Sequence, residues 1–148
     1  MELNTKVKSA LENINFSERH KKLASKFNFN ETELFENYNN EIILEILNEL
    51  GYKAKYTKRE DFFSIKSKEK KGYKFEFNMS FKYGVVEFIW AMWKNENIIK
   101  SLGPWDVIQR LLDGNKYNTI KFRNYDDLKV ILQEGLNLYD DFKIEILK

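Results

Sequence analysis

The chain has 148 residues, 43% of them apolar and 16% aromatic, which is enough to build a core and too aromatic for a disordered chain. Its 25 basic and 23 acidic residues leave a net charge of +2, so no global field draws it to nucleic acid or to a membrane. The absence of cysteine excludes disulfides, thiolate metal sites, iron–sulfur clusters and cysteine nucleophiles.

The N-terminal stretch MELNTKVKSALENINF has no uninterrupted apolar run, so no signal peptide is expected. No apolar run elsewhere approaches the roughly 18 residues of a membrane span. A soluble, cytoplasmic protein is expected. Leu3, Val7, Ala10, Leu11 and Ile14 recur at helical spacing and predict a helix over 2–14. Ser17 can cap a second helix ending near Phe27, with Leu23, Ala24 and Phe27 on one face. Asn30 followed by Glu33 has the form of a capping box. It opens a helical region in which Leu34, Phe35, Tyr38, Ile42, Ile46 and Leu50 recur. Gly51 then stands where a helix C-cap wants positive φ.

Beyond Gly51 the period changes from near four to two. YKAKYT and DFFSIKS read as strands, and DFFSIKS pairs across KEKKG with YKFEFNMSFKY. In that last stretch Tyr73, Phe75, Phe77, Met79, Phe81 and Tyr83 alternate with Lys74, Glu76, Asn78, Ser80 and Lys82, the pattern of a half-buried antiparallel strand. Tyr83-Gly84 makes a tight turn into VVEFIWAMW, Val85 to Trp93. One face of this strand carries Val86, Phe88, Trp90 and Met92. The other carries Val85, Glu87, Ile89, Ala91 and Trp93. Both are mostly apolar, which predicts a central strand covered on both sides. Trp93, near the strand end, can be exposed even where Trp90 is not.

Pro104 fits the first turn of a helix that presents Trp105, Ile108, Leu111 and Leu112 and stops at Asp113-Gly114. YNTIKFRN is a short strand. Asn124 or Tyr125 opens a last helix with Leu128, Ile131, Leu132, Leu136 and Tyr139 in register. DFKIEIL either continues that helix or forms a final strand. No linker or repeat divides the chain, so residues 1–148 read as a single domain. The order of elements predicts an α+β fold: an antiparallel meander of about four to six strands packed with N-terminal and C-terminal helices.

Charge is segregated. Residues 28–50 contain six Glu and no Lys or Arg, and residues 52–75 contain nine basic and three acidic residues. The plain account is mutual neutralisation if the two segments pack together, plus solvated faces. Alternatively, the basic segment (Lys53, Lys55, Lys58, Arg59 and the lysines from Lys66 to Lys74) contacts phosphates, with Tyr52, Tyr56 and Phe62 available to stack bases. The acidic residues Glu31, Glu33, Glu36, Glu41, Glu45 and Glu49 fit a basic protein.

Candidate chemistry is sparse. His20 is the only histidine; it lies among charges in SERHKKL and is expected on an exposed helix face without an orienting partner. No Gly-rich phosphate loop and no nucleophile elbow is present. Asp126-Asp127 suits the first turn of a helix, and Asp140-Asp141 a helix end or turn. The stretch from Asn39 to Asn78 resembles, in outline, the core of restriction-type nucleases of the PD-(D/E)xK class. That resemblance implies Glu41 or Glu45 as a helical acid and Asp61 and Glu76 as Mg²⁺ carboxylates. Asn78 stands where the class has its lysine, and Lys82 lies well beyond it.

GVVEFIWAMW, GPWDVIQRLLDG and FRNYDDLKVILQEGLNLYDDFK give the chain a general likeness to small bacterial immunity proteins encoded beside contact-dependent and other polymorphic toxins. The resemblance implies a non-enzymatic protein that binds and neutralises a cognate toxin domain, with no catalytic residue, metal or cofactor. Glu31, Glu33, Glu36, Glu41 and Glu45 are the candidate partner-binding residues, with Trp93 and Trp105 as candidate anchors. A nucleic-acid-binding module and a metal-dependent nuclease are the alternatives; no membrane partner is expected.

Overall fold

The computed structural model describes residues 2–148. Helix α1 (Thr5–Asn13) starts where the Asn4 side chain accepts hydrogen bonds from the N–H groups of Lys6 and Val7, two donors that have no partner within the helix. It buries Val7, Ala10 and Leu11. Asn15, at φ 58°, turns the chain into α2 (Phe16–Lys26), which buries Phe16, His20, Leu23 and Ala24.

The region from Asn30 to Leu50 is not one helix. Asn30 does form the capping box, but it opens only a 3₁₀ turn, Glu31–Glu33. Leu34 is already extended, and α3 begins at Asn40 and ends at Glu49. The cause is tertiary. The N–H of Phe35 donates to the carbonyl of Phe122, and the Phe35 ring packs edge-on against Phe122 and Tyr125. Tyr38 packs on Phe122 as well. These contacts hold 34–39 as a strap across the domain, and Asn39, whose N–H donates to the Tyr125 hydroxyl, then caps α3. Gly51, at φ 95°, follows the helix as its position predicts.

The sheet runs in meander order: β1 (Lys55–Thr57), β2 (Phe62–Lys66), β3 (Tyr73–Ser80), β4 (Val85–Lys94) and β5 (Asn97–Ile98), all antiparallel. The outer edge of β4 is occupied by β5, by a bridge between Ile89 and Pro104, and by β6 (Ile120–Lys121). Helix α4 (Trp105–Asp113) packs against β4, and α5 (Tyr125–Ile146) crosses the buried face. Residues 142–146 continue α5, so the helical alternative for DFKIEIL holds. The fold is α+β, with five α-helices and six strands among the described residues.

Register places Phe63, Ile65, Phe75, Phe77, Met79, Val86, Phe88, Trp90 and Met92 on one buried face. Phe142 stacks on Trp90 with ring centroids 5.0 Å apart, and Tyr139 meets Phe77 at 5.1 Å. Gly135 lets α5 approach: a Cβ there would lie 2.8 Å from the Phe88 ring. The opposite face is open. Apart from Ser64, none of its side chains is buried, and Ile89, Ala91 and Trp93 are only half-buried. The expectation that β4 is covered on both faces is therefore corrected: it is central in the sheet but covered on one side.

Candidate partner-binding surface

The two charged segments lie largely at opposite ends of the sheet. The strap carrying Glu31, Glu33 and Glu36 is fixed beside the start of β4, because Phe122 links it to Gly84 through backbone hydrogen bonds. Gly84, at φ +76°, is needed there, since a Cβ would sit 2.8 Å from that of Leu34. The β2–β3 hairpin with Lys66, Lys68, Lys70, Lys71 and Lys74 lies at the other end, where Tyr73 pairs with Lys94. The nine steps along β4 between the two ends span about 30 Å. Lys58 and Arg59 are exceptions, since the β1–β2 turn lies at the acidic end.

No ion pair joins the two segments. Glu49 reaches Lys129 at 3.6 Å, but Glu31, Glu33, Glu36, Glu41 and Glu45 have no ion-pair partner among the described residues, and all five are exposed. Glu41, Glu45 and Glu49 recur every fourth residue on α3, opposite buried Ile43 and Leu47. Arg123 feels the charge of Glu33, but its guanidinium is held by Asp127 at 2.9 Å and lies over the Phe29 ring at 3.8 Å. Mutual neutralisation does not describe this surface. The acidic pole sets five carboxylates without an ion-pair partner, one of them (Glu33) accepting the Asn30 N–H in the capping box, beside half-buried Leu34, Phe35 and Tyr38. Burial, with the nearby Asp61 charge, pushes the Tyr38 phenol up to about 12, so it is neutral across the physiological range.

The tryptophans divide. Trp105 is not a surface anchor. At 3% exposed it lies among Phe16, Phe88 and Trp90, because Pro104 is bridged to Ile89 and delivers the first turn of α4 into the core. Trp93 stands on the open sheet face, opposite Lys74 and Ile98. It is eight residues along β4 from the acidic end, about 26 Å, and so lies outside the acidic patch.

His20 is corrected as well. It is 2% exposed, set among Phe16, Trp105 and Tyr117. Gln109 donates from its amide nitrogen to Ser17 Oγ at 2.7 Å and Asp113 Oδ1 at 2.9 Å, which turns its carbonyl oxygen to His20 Nδ1 at 2.9 Å. An amide oxygen only accepts, so Nδ1 carries the proton of a neutral ring. Burial holds the imidazole below its ordinary pKa. The ring also lines a cavity of about 40 Å³ with Trp105, Asp106 and Thr119. The signal was present in the sequence: His20 lies four residues after Phe16 and three or four before Leu23 and Ala24, on the apolar face of α2.

The residues of the nuclease outline do not converge. Asp61 stands in the turn before β2, where it accepts a hydrogen bond from the Tyr56 hydroxyl at 2.6 Å. Glu76 faces Lys66, five residues further along β2, which puts the two acids about 15 Å apart along the sheet. Asn78 accepts from Ser64 Oγ at 2.5 Å. Among the described residues, no three His, Asp or Glu side chains group closely enough to hold a metal ion. No described helix is long and apolar enough to cross a membrane.

Comparison with protein-family models, curated proteins and solved structures returned no match.

Proposed function

We propose that this chain is a cytoplasmic, non-enzymatic binding protein of the immunity type, which neutralises a cognate toxin domain by covering it with the acidic pole. The observation that carries this reading is the exposure of Glu31, Glu33, Glu36, Glu41 and Glu45 without an ion-pair partner among the described residues. Such carboxylates stay hydrated in the free protein and are available to a cationic surface. Complementary charge of this kind raises association rates and rejects like-charged partners. Leu34, Phe35 and Tyr38 add apolar ground between the acids, held in place before binding by Phe122 and Tyr125. That reduces the ordering cost of association.

The test is affinity capture on the tagged chain, followed by co-expression of the captured domain with the wild type or with the triple variant Glu31→Lys, Glu33→Lys, Glu36→Lys. The reading expects a basic domain that arrests growth alone, is neutralised by the wild type and escapes the variant. Equal protection by both would refute the role of the acidic strap.

A further inference from the structure

The acidic pole leaves the basic hairpin and the open sheet face without a role. We infer that the groove around Trp93 binds a single strand of nucleic acid, with a base stacked on the indole and phosphates held by Lys66 and Lys74.

Three features of the groove carry this. First, Trp93 is the one tryptophan outside the core: Trp90 is 1% exposed and Trp105 3%, whereas Trp93 is only half-buried on the uncovered face. Second, register sets Lys74 directly opposite Trp93 on β3, and Lys66 opposite Glu76 on β2. The two lysines are diagonal neighbours about 7–8 Å apart at the backbone, close enough to serve adjoining phosphates. Neither is ion-paired, and Lys68, Lys70 and Lys71 extend the cationic track around the hairpin. Third, Lys66, Ser67, Lys74, Glu76, Trp93 and Glu96 enclose a groove of about 430 Å³. Every base offers a face that an indole can stack on, at about 1–3 kcal/mol per base in known single-strand sites.

Glu76 and Glu96 line the same groove. A carboxylate only accepts hydrogen bonds, so these two select groups that donate: ring N–H, exocyclic amine or ribose hydroxyl. They also repel a phosphate placed directly over them, which keeps the backbone on the lysine side and the base towards Trp93. Of the aromatics interleaved with the basic segment, Phe62 is half-buried on the open face but four residues along β2 from Lys66, about 13 Å, and the two tyrosines do not supply the platform. Tyr56 packs inward on Phe63, and Tyr52 hydrogen-bonds Asp140.

The test is tryptophan fluorescence of the full chain titrated at low salt with an oligothymidylate of about eight nucleotides, within the usual size of such sites. Quenching is expected, because only Trp93 is accessible. Lys66→Gln with Lys74→Gln, folded by circular dichroism, is expected to bind at least about tenfold more weakly, and its log–log salt dependence to lose about 1.4 in slope. Trp93→Phe should abolish the quenching. Failure to quench, or quenching untouched by the lysine pair, overturns the proposal. Equal response to thymidine monophosphate or to duplex overturns the single-strand assignment in favour of a nucleotide or a general polyanion site. The Glu31, Glu33, Glu36 variant should titrate like wild type, which separates this site from the acidic pole.

Discussion

Tyr139 offers a sharp test of the core. Its ring is 1% exposed and packed between Phe77 and Trp90, with Lys143 Nζ 4.3 Å from the ring centre. Its hydroxyl is buried without a hydrogen-bond partner among the described residues, and burial pushes the phenol well above its ordinary pKa. A buried, unsatisfied hydroxyl costs about 1–3 kcal/mol. Tyr139→Phe removes that cost and keeps the ring and its contact with Lys143. The void left by one oxygen, on the order of 15 Å³, takes back about 0.4 kcal/mol at ~24 cal/mol per Å³. The variant should therefore be more stable than wild type by about 0.5–2.5 kcal/mol in urea denaturation, with an unchanged m-value. Tyr52→Phe is the control. It loses a hydrogen bond to Asp140 and should cost about 1 kcal/mol. A loss of more than about 1 kcal/mol on Tyr139→Phe would mean instead that the hydroxyl is satisfied in the folded protein.

Other expectations follow from the same contacts. Gly84→Ala forces a Cβ against Leu34 and the Phe35 N–H at positive φ. It should cost about 1–3 kcal/mol in chemical denaturation and weaken binding at the acidic strap, which it displaces. Gly135→Ala ought to gain about 1 kcal/mol of helix propensity. Its Cβ would meet the Phe88 ring at 2.8 Å, so a net loss of stability is expected, and a gain would show that Phe88 relaxes freely. His20 has a folded pKa below its unfolded value. The unfolded chain therefore binds more protons as pH falls, and the His20 contribution, full above about pH 6.5, is lost on acidification. Denaturation midpoints from pH 8 to 5 should fall in wild type and fall less in His20→Gln; parallel profiles would contradict this.

The sheet was legible because alternation from Tyr73 to Phe81 is strict and each of those apolar positions is buried or half-buried; Tyr83, which continues the same period, is instead 73% exposed in the turn before β4, at φ 61°. The faces of β4 were not. Ile89, Ala91 and Trp93 are apolar enough for a covered face, and only the placement of the helices on the other side leaves them open. The segment after Asn30 misled for a different reason. Leu34, Phe35 and Tyr38 fit a helical period, but their rings are taken by Phe122 and Tyr125, some ninety residues away, and that contact outweighs local propensity. The end of α5 was ambiguous between periods of two and four. Leu138, Phe142 and Ile146, spaced by four and all buried, settle it. The acidic residues were found by composition alone. Their lack of internal partners, and the distance of Trp93 from them, required the strand register.

The proposed cationic partner of the acidic pole is sought by capturing proteins from cells of the source organism on the wild-type chain and, in parallel, on the Glu31→Lys, Glu33→Lys, Glu36→Lys variant, with quantitative mass spectrometry of both eluates. A basic protein is expected to be enriched at least about tenfold on wild type over the variant, with the enrichment falling as salt rises. The same protein retained equally by both, while the variant keeps its wild-type circular dichroism, would contradict it.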